Sequence, residues 1–261
     1  AETQLQTLHP QPHRQRPPYL HAILHLERLL DRKGSPPGRE PILRATLDLA
    51  LQREIAALVT AAWPEWQELG AEQAAVLVVD RAGFAVRAAI GSLDYFQSPA
   101  GALDFIHTPR SPGSALKPFL YALALERNLL TPVTWLFDQP EGAAGIGNAD
   151  GRFLGPLLPR QALANSRNVP AIHLLRRVGL QPFFTFLNEL ELMFGSHYRD
   201  PDHFGLTLAL GGLPTTLEQL VRAYGTLAND GRLPALRWYE GQPLPADRPL
   251  PYAALADSGH P

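Results

Sequence analysis

Along the chain, apolar positions recur mostly at helical spacing, with a few short extended runs between. Helices are predicted over residues 19–30, 49–63, 114–126, 157–165, 169–178, 182–192 and 216–229. Asp48 stands where it can cap the second, and Asp230-Gly231 stops the last. Pro118 is tolerated in the third only within its first turn, which puts that helix start near Gly113 or Ser114. Residues 41–47 read as a strand, and 74–79 and 84–90 flank the turn Asp80-Arg81-Ala82-Gly83 as a predicted hairpin. The stretches up to Arg110 and over 132–155 read as irregular, and 234–261 carries six prolines with weak periodicity. Strands first, helices after and no βαβ alternation predict an α+β fold with helices packed on an antiparallel sheet. One hairpin and one strand make a thin sheet, which asks for further strands.

Composition narrows the class. With 261 residues, 45% hydrophobic and 18% charged, the chain can bury a core, which excludes disordered, collagen-like and coiled-coil readings. Residues 1–40 are rich in Pro, His and Arg and read as a connector carrying one helix, ahead of a domain over 41–261. A net charge of −2 leaves no excess of cations for nucleic acid or a polybasic membrane patch, and neither partner is expected. No apolar run approaches the roughly 20 residues that cross a bilayer. The absence of Cys excludes disulfides, thiolate metal sites and a Cys nucleophile. The chain opens at Ala1 with neither Met nor a signal sequence, and is read as processed or cut from something longer.

The cations are lopsided: Lys33 and Lys117 are the only lysines among 23 basic residues. A lysine kept where arginine is the habit raises the question of what arginine cannot do, which is lose its proton. Lys117 lies three residues after Ser114 at a predicted helix start, so hydroxyl and amine share a face. The helix end offers N–H groups to an oxyanion and disfavours an ammonium, helping the lysine act as a general base for a serine nucleophile. The plainer alternative is an N-cap serine beside a surface lysine. Ser166-Arg167-Asn168 falls between two helical stretches, where the hydroxyl of Ser166 and the amide of Asn168 can point the same way; alone, it reads as a helix cap. His21 and His25 have the i, i+4 spacing of a metal pair without the accompanying Glu, while His9, His13 and His107 form no ligand-like cluster. No metal and no cofactor are expected.

Ser111-Pro112-Gly113-Ser114-Ala115-Leu116-Lys117-Pro118-Phe119 and Leu163-Ala164-Asn165-Ser166-Arg167-Asn168-Val169-Pro170-Ala171 together resemble the transpeptidase domain of class A penicillin-binding proteins. Leu208-Ala209-Leu210-Gly211-Gly212 supports the resemblance, which runs in family order over about 41–231. It implies the penicillin-binding transpeptidase and serine β-lactamase-like fold, and acyl transfer on peptidoglycan stem peptides ending in D-Ala-D-Ala. It further implies that Ser114 attacks the penultimate D-Ala carbonyl and that Lys117 takes its proton. Ser166 would relay a proton to the leaving amine, and Asn168 would orient the substrate amide and the lysine. β-Lactams would trap Ser114 as an ester. The resemblance also implies a connector from a glycosyltransferase domain at 1–40, a membrane anchor ahead of it, cell-wall synthesis proteins as partners, and work on the periplasmic side of the membrane. The family's third motif, Lys-Thr/Ser-Gly, has no match: Asp257-Ser258-Gly259 puts a carboxylate where a cation is needed, so the domain is expected to stop short of that strand. A non-catalytic penicillin-binding sensor or scaffold, or a serine β-lactamase, are the alternatives.

Overall fold

The structure is a computed structural model that describes residues 19–31, 43–96, 98–140, 146–193 and 200–250. The expectations at His9, His13, Lys33 and Asp257-Ser258-Gly259 lie outside these residues. In chain order, the first helices are α1 (Leu20–Asp31) and α2 (Leu49–Glu68), followed by β1 (Val76–Val79) and β2 (Val86–Ile90). A 3-10 turn (Gly113–Leu116) runs directly into α3 (Lys117–Glu126). Next come β3 (Leu136–Asp138), β4 (Gly155–Leu157), α4 (Pro159–Ala164), α5 (Asn168–Val178) and α6 (Leu180–Glu189). The last elements are 3-10 turns at Pro201–His203 and Gly205–Leu210, α7 (Leu217–Leu227), β5 (Arg232–Leu233) and β6 (Arg248–Pro249). Among the described residues the strands form three antiparallel ribbons, β1 with β2, β3 with β4 and β5 with β6. The α+β class stands, with a thin sheet.

Two cores organise the elements. The larger surrounds α3, whose Phe119, Leu120 and Leu123 pack with Ile172 and Leu174 of α5 and Phe183 of α6. Because α3 buries residues on most of its faces, it is a core helix and not an amphipathic surface one. The smaller core lies over the β1–β2 ribbon and joins Val86 and Ala89 to Ile106, Trp238 and, from α1, Ala22 and Leu26. Gln52 of α2, fully buried, closes the ribbon by accepting from the Ala89 N–H at 2.7 Å and donating to the Ala89 carbonyl at 2.9 Å.

Several expectations move. Of the strand over 41–47, the described part makes a single bridge, Ala45 to Tyr239, closed by the Thr46 N–H on the Trp238 carbonyl and the Glu240 N–H on the Arg44 carbonyl, and the extended run then ends where Asp48 caps α2. The helix over 49–63 runs on to Glu68 through Pro64, at an exposed turn where water can serve the carbonyl that proline leaves unpaired. The irregular stretch 132–155 contains β3, and residue 157 closes β4 instead of opening a helix, which starts at Pro159.

Histidines dock α1. His21 Nε2 lies 3.1 Å from Ser92 Oγ and 2.9 Å from the Gly101 carbonyl, and a Cβ at Gly91 would meet its ring at 2.6 Å. The His25 ring stacks on His107 with centroids 4.1 Å apart. His107 donates from Nδ1 to Asp104 and from Nε2 to Glu218, each at 2.7 Å. Burial works against its charge, but the two carboxylates outweigh that and push it up to about 9. Burial and the neighbouring His107 charge push His25 down to about 4. A folded-state value above the unfolded one stabilises fully below pH 6.5, and the gain is lost as pH rises through about 9. By urea unfolding, wild type should therefore exceed His107→Gln by about 3 kcal/mol more at pH 6 than at pH 10. A difference that does not vary with pH would show that His107 is not held as an imidazolium.

Candidate active site

The turn that carries Ser114 is built by close backbone approach. Gly113 has φ +56° and Gly211 has φ +90°, both in the left-handed region, and a Cβ on Gly211 would lie 2.2 Å from the Gly113 nitrogen. Ser111 Oγ donates to the Gly211 carbonyl at 2.6 Å, and Arg110 and Thr215 exchange backbone hydrogen bonds at 2.9 Å. Tyr224 of α7, its ring set edge-on to Phe119, donates its hydroxyl to the Ala115 carbonyl at 2.9 Å. The segment 205–212 and α7 thus hold the turn from outside, while α3 anchors it in the core.

Ser114 is exposed, and Lys117 is only 1% exposed. Residues i and i+3 eclipse on a 3-10 turn, so both side chains leave on one face, and the Lys117 N–H donates to the Ser114 carbonyl. The plainer alternative of a surface lysine is thereby set aside: the amine is buried with oxygen partners. Nζ donates to the Ser166 carbonyl at 2.6 Å, to Asn168 Oδ1 at 2.7 Å and to Ser166 Oγ at 3.1 Å. Burial, and then the nearby Arg167 charge, push the amine down to about 8. Once Lys117 is neutral, the Ser166 hydroxyl can reverse its bond and donate to the amine lone pair.

The loop opposite has its own support. Ser166 sits at φ +50°, unusual for a residue with a Cβ, and opens directly into α5, whose first residue is Asn168. Arg167, 5% exposed, donates Nε to Asp138 at 2.9 Å. Its two Nη atoms reach the two oxygens of Asp150, each at 2.9 Å, and one of them also donates to the Arg152 carbonyl. Asn148 donates to Asp138 at 2.7 Å and accepts the Asn168 N–H at 2.7 Å. The amide of Asn168 donates to the Gly147 carbonyl at 3.0 Å, which leaves Oδ1 to face the lysine. Sequence reading takes Ser166 and Asn168 but passes over Arg167, Asp138, Asn148 and Asp150, since nothing in spacing pairs a loop carboxylate with an arginine 29 residues on.

One site for a metal needs weighing. His25, His107 and Glu218 bring one ligand-type atom each within 4.8 Å of one another, a grouping across three distant segments that sequence reading misses. The imidazole planes lie 11° apart in a stack, so their in-plane lone pairs run side by side and do not converge on one point. As oriented, the rings suit an imidazole–imidazolium stack. A groove of about 820 Å³ lies between α2 and the loop after β2, lined by Thr60, Trp63, Gln67, Leu93 and Asp94, and by none of Ser114, Lys117, Ser166 and Asn168.

Comparison with known proteins sets this geometry in a family. The family described as "Penicillin binding protein transpeptidase domain" matches residues 74–242. Penicillin-binding protein 1C of Escherichia coli (strain K12) is 35% identical over 214 residues, which cover 80% of this chain and 27% of that protein. The chain thus spans about a quarter of that relative's length. Among solved structures, penicillin-binding protein 1A from Haemophilus influenzae superposes with a TM-score of 0.54 at 27% identity, over 64% of this chain and 25% of that one. The transpeptidase domain of Burkholderia pseudomallei penicillin-binding protein 3 superposes with a TM-score of 0.64 at 22% identity, over 82% of this chain and 66% of that one, a likeness of fold. The molecule is of the serine acyltransferase type. It belongs to the penicillin-binding protein transpeptidase family, with homologues in class A.

Gly211→Ala should destabilise the protein by at least about 2 kcal/mol, through both the left-handed backbone and the contact with Gly113. The check is a shift in urea midpoint at unchanged slope. An undiminished midpoint would mean that the two backbones do not press together as described.

Proposed function

We propose that this chain carries the acyl-transfer half-site of a peptidoglycan D,D-transpeptidase. The observation behind this reading is the buried Lys117 amine, gripped by Ser166 and Asn168 on the face it shares with Ser114. Ser114 Oγ attacks the carbonyl of the penultimate D-Ala while Lys117 takes the hydroxyl proton, forming a tetrahedral oxyanion. The proton returns through Lys117 and Ser166 to the nitrogen of the terminal D-Ala as the C–N bond breaks, leaving an ester on Ser114. The amine of a neighbouring stem peptide then attacks the ester, gives up a proton to Lys117 and restores the Ser114 hydroxyl. Asn168 orients the lysine through Oδ1. A β-lactam follows the first step, and its ring opening leaves a long-lived acyl-serine.

The whole protein of this reading places a connector at 1–40 and the transpeptidase domain at 41–261, joined to a glycosyltransferase domain and acting on the cell wall at the periplasmic side. No helix among the described residues is long and apolar enough to cross a membrane. The Lys-Thr/Ser-Gly strand would add the substrate-carboxylate cation and a second oxyanion donor, a donor worth on the order of 3 kcal/mol.

Intact-mass analysis after incubation with benzylpenicillin should show the mass of one penicillin on wild type and none on Ser114→Ala. Because the base must be neutral, the acylation rate should rise with pH through about 8 and level off above it. Lys117→Met should lower that rate by about a hundredfold or more. An adduct on Ser114→Ala, or none on folded wild type, would overturn the reading.

A further inference from the structure

Arg167 stands between the two residues that hold the lysine, yet its own hydrogen bonds go to Asp138, Asp150 and the Arg152 carbonyl. It is almost fully buried, and its guanidinium is shared between a fully buried carboxylate, Asp138, and an exposed one, Asp150. Burying a guanidinium is costly, so a fold that keeps one here gains something from it. Two consequences follow from its placement. Its rigid fork, with four hydrogen bonds, ties the 166–168 loop to β3 and to the connection between β3 and β4, which keeps Ser166 at its left-handed φ and α5 starting at Asn168. Its charge, which cannot be titrated away, lies beside an amine that has to be.

Resting on the reading above, we propose that Arg167 is a positioning residue for acyl transfer: clamped by Asp138 and Asp150, it fixes Ser166 and Asn168 around the Lys117 amine and supplies the permanent positive charge that keeps this amine a base. The charged and titratable groups around Lys117 are few. Arg167 repels its proton, while Asp138 and Asp150 offset the arginine from the far side. Tyr121, one turn further along α3, is buried, and its hydroxyl is pushed up by burial and by Asp138, so it stays neutral.

The sequence makes a direct test possible, because with only two lysines a lysine-selective 13C NMR titration of the full chain gives two signals. Lys117→Arg assigns them. In Arg167→Met the Lys117 midpoint should rise by about one pH unit, since a repelling charge is gone. In Asp150→Asn it should fall by a few tenths of a unit, since the arginine is then less compensated. Arg167→Lys keeps the charge without the fork: the Lys117 midpoint should stay near the wild-type value, while penicillin acylation slows about tenfold or more through looser positioning. The pH profile of acylation should shift with the midpoint in each variant. If Arg167→Met does not fold, the exposed Asp150→Asn change and Arg167→Lys carry the test. Midpoints that do not move, or that move in the same direction in Arg167→Met and Asp150→Asn, overturn the charge role; unchanged acylation in Arg167→Lys overturns the positioning role. Opposite shifts in Arg167→Met and Asp150→Asn, together with a wild type that penicillin does not label, would sustain the assignment of Arg167 to Lys117 while removing the transpeptidase reading.

Discussion

A lysine amine buried among three oxygen atoms is the constraint from which the surrounding structure can be read. Taking an ammonium out of water is unfavourable by several kcal/mol unless each donor finds an acceptor in good geometry. The acceptors here come from a different part of the chain, about fifty residues on. Two backbone segments must therefore meet at hydrogen-bond distance, and neither is free to shift without exposing the other. The helix start is fixed from the core side by Leu116 and Phe119 and from the outside by Gly211 and Tyr224. The opposing loop is fixed by the β3–β4 ribbon through Asp138, Asn148 and Asp150. A short two-stranded ribbon would be marginal alone, and its packing against α5 and its ionic clamp make it part of the site.

The two cores divide this work. The helical core around α3, α5 and α6 sets the distance between the lysine and its acceptors, because Lys117 and Asn168 are the first residues of two helices packed on each other. The ribbon core, with α1 docked on it, orders the path from Gly91 to Arg110 that leads into the serine turn. His21 grips the Gly101 carbonyl on that path, and Asp104 and His107 tie it to Glu218 at the head of α7. The same helix, α7, carries the tyrosine that bonds the Ala115 carbonyl, so the histidine stack and the serine turn share one rigid support.

What was legible in the sequence follows from range. Signals carried by neighbours in the chain read correctly: the capping Asp48, Pro118 in the first turn and the Gly-containing hairpin. The misses are all long-range or of low periodicity. β3 and β4 are three residues each, too short for alternation to register, and one of them contains Pro156 opposite Phe137. The meeting of His25, His107 and Glu218 is decided by segments that converge in space, as is the clamp of Arg167 on Asp138 and Asp150. Residues 41–47 have strand composition, but the extended run stops where Asp48 caps α2, which leaves room for one bridge to Tyr239 and no longer ladder.

The cation usage gains its physical sense at the site. Arginine and lysine are both positive at neutral pH, but they divide two tasks that a single residue type could not perform. Arg167 makes bidentate contact with a carboxylate and stays charged whatever the state of the reaction, so its bonds are the same before and after a proton moves. Lys117 is held by single contacts, to a carbonyl, an amide oxygen and a hydroxyl. The hydroxyl can exchange donor for acceptor when the amine loses a proton, so the lysine can change charge without leaving its place. An arginine at 117 could fill similar volume and satisfy similar acceptors, but it could not become neutral, which the proposed base must do. A lysine at 167 could balance Asp138, but it could not span Asp150 with a planar fork. Exchanging the two residue types would keep the net charge and lose both the titratable amine and the bidentate fork, so the two cations are set apart by chemistry and not by charge.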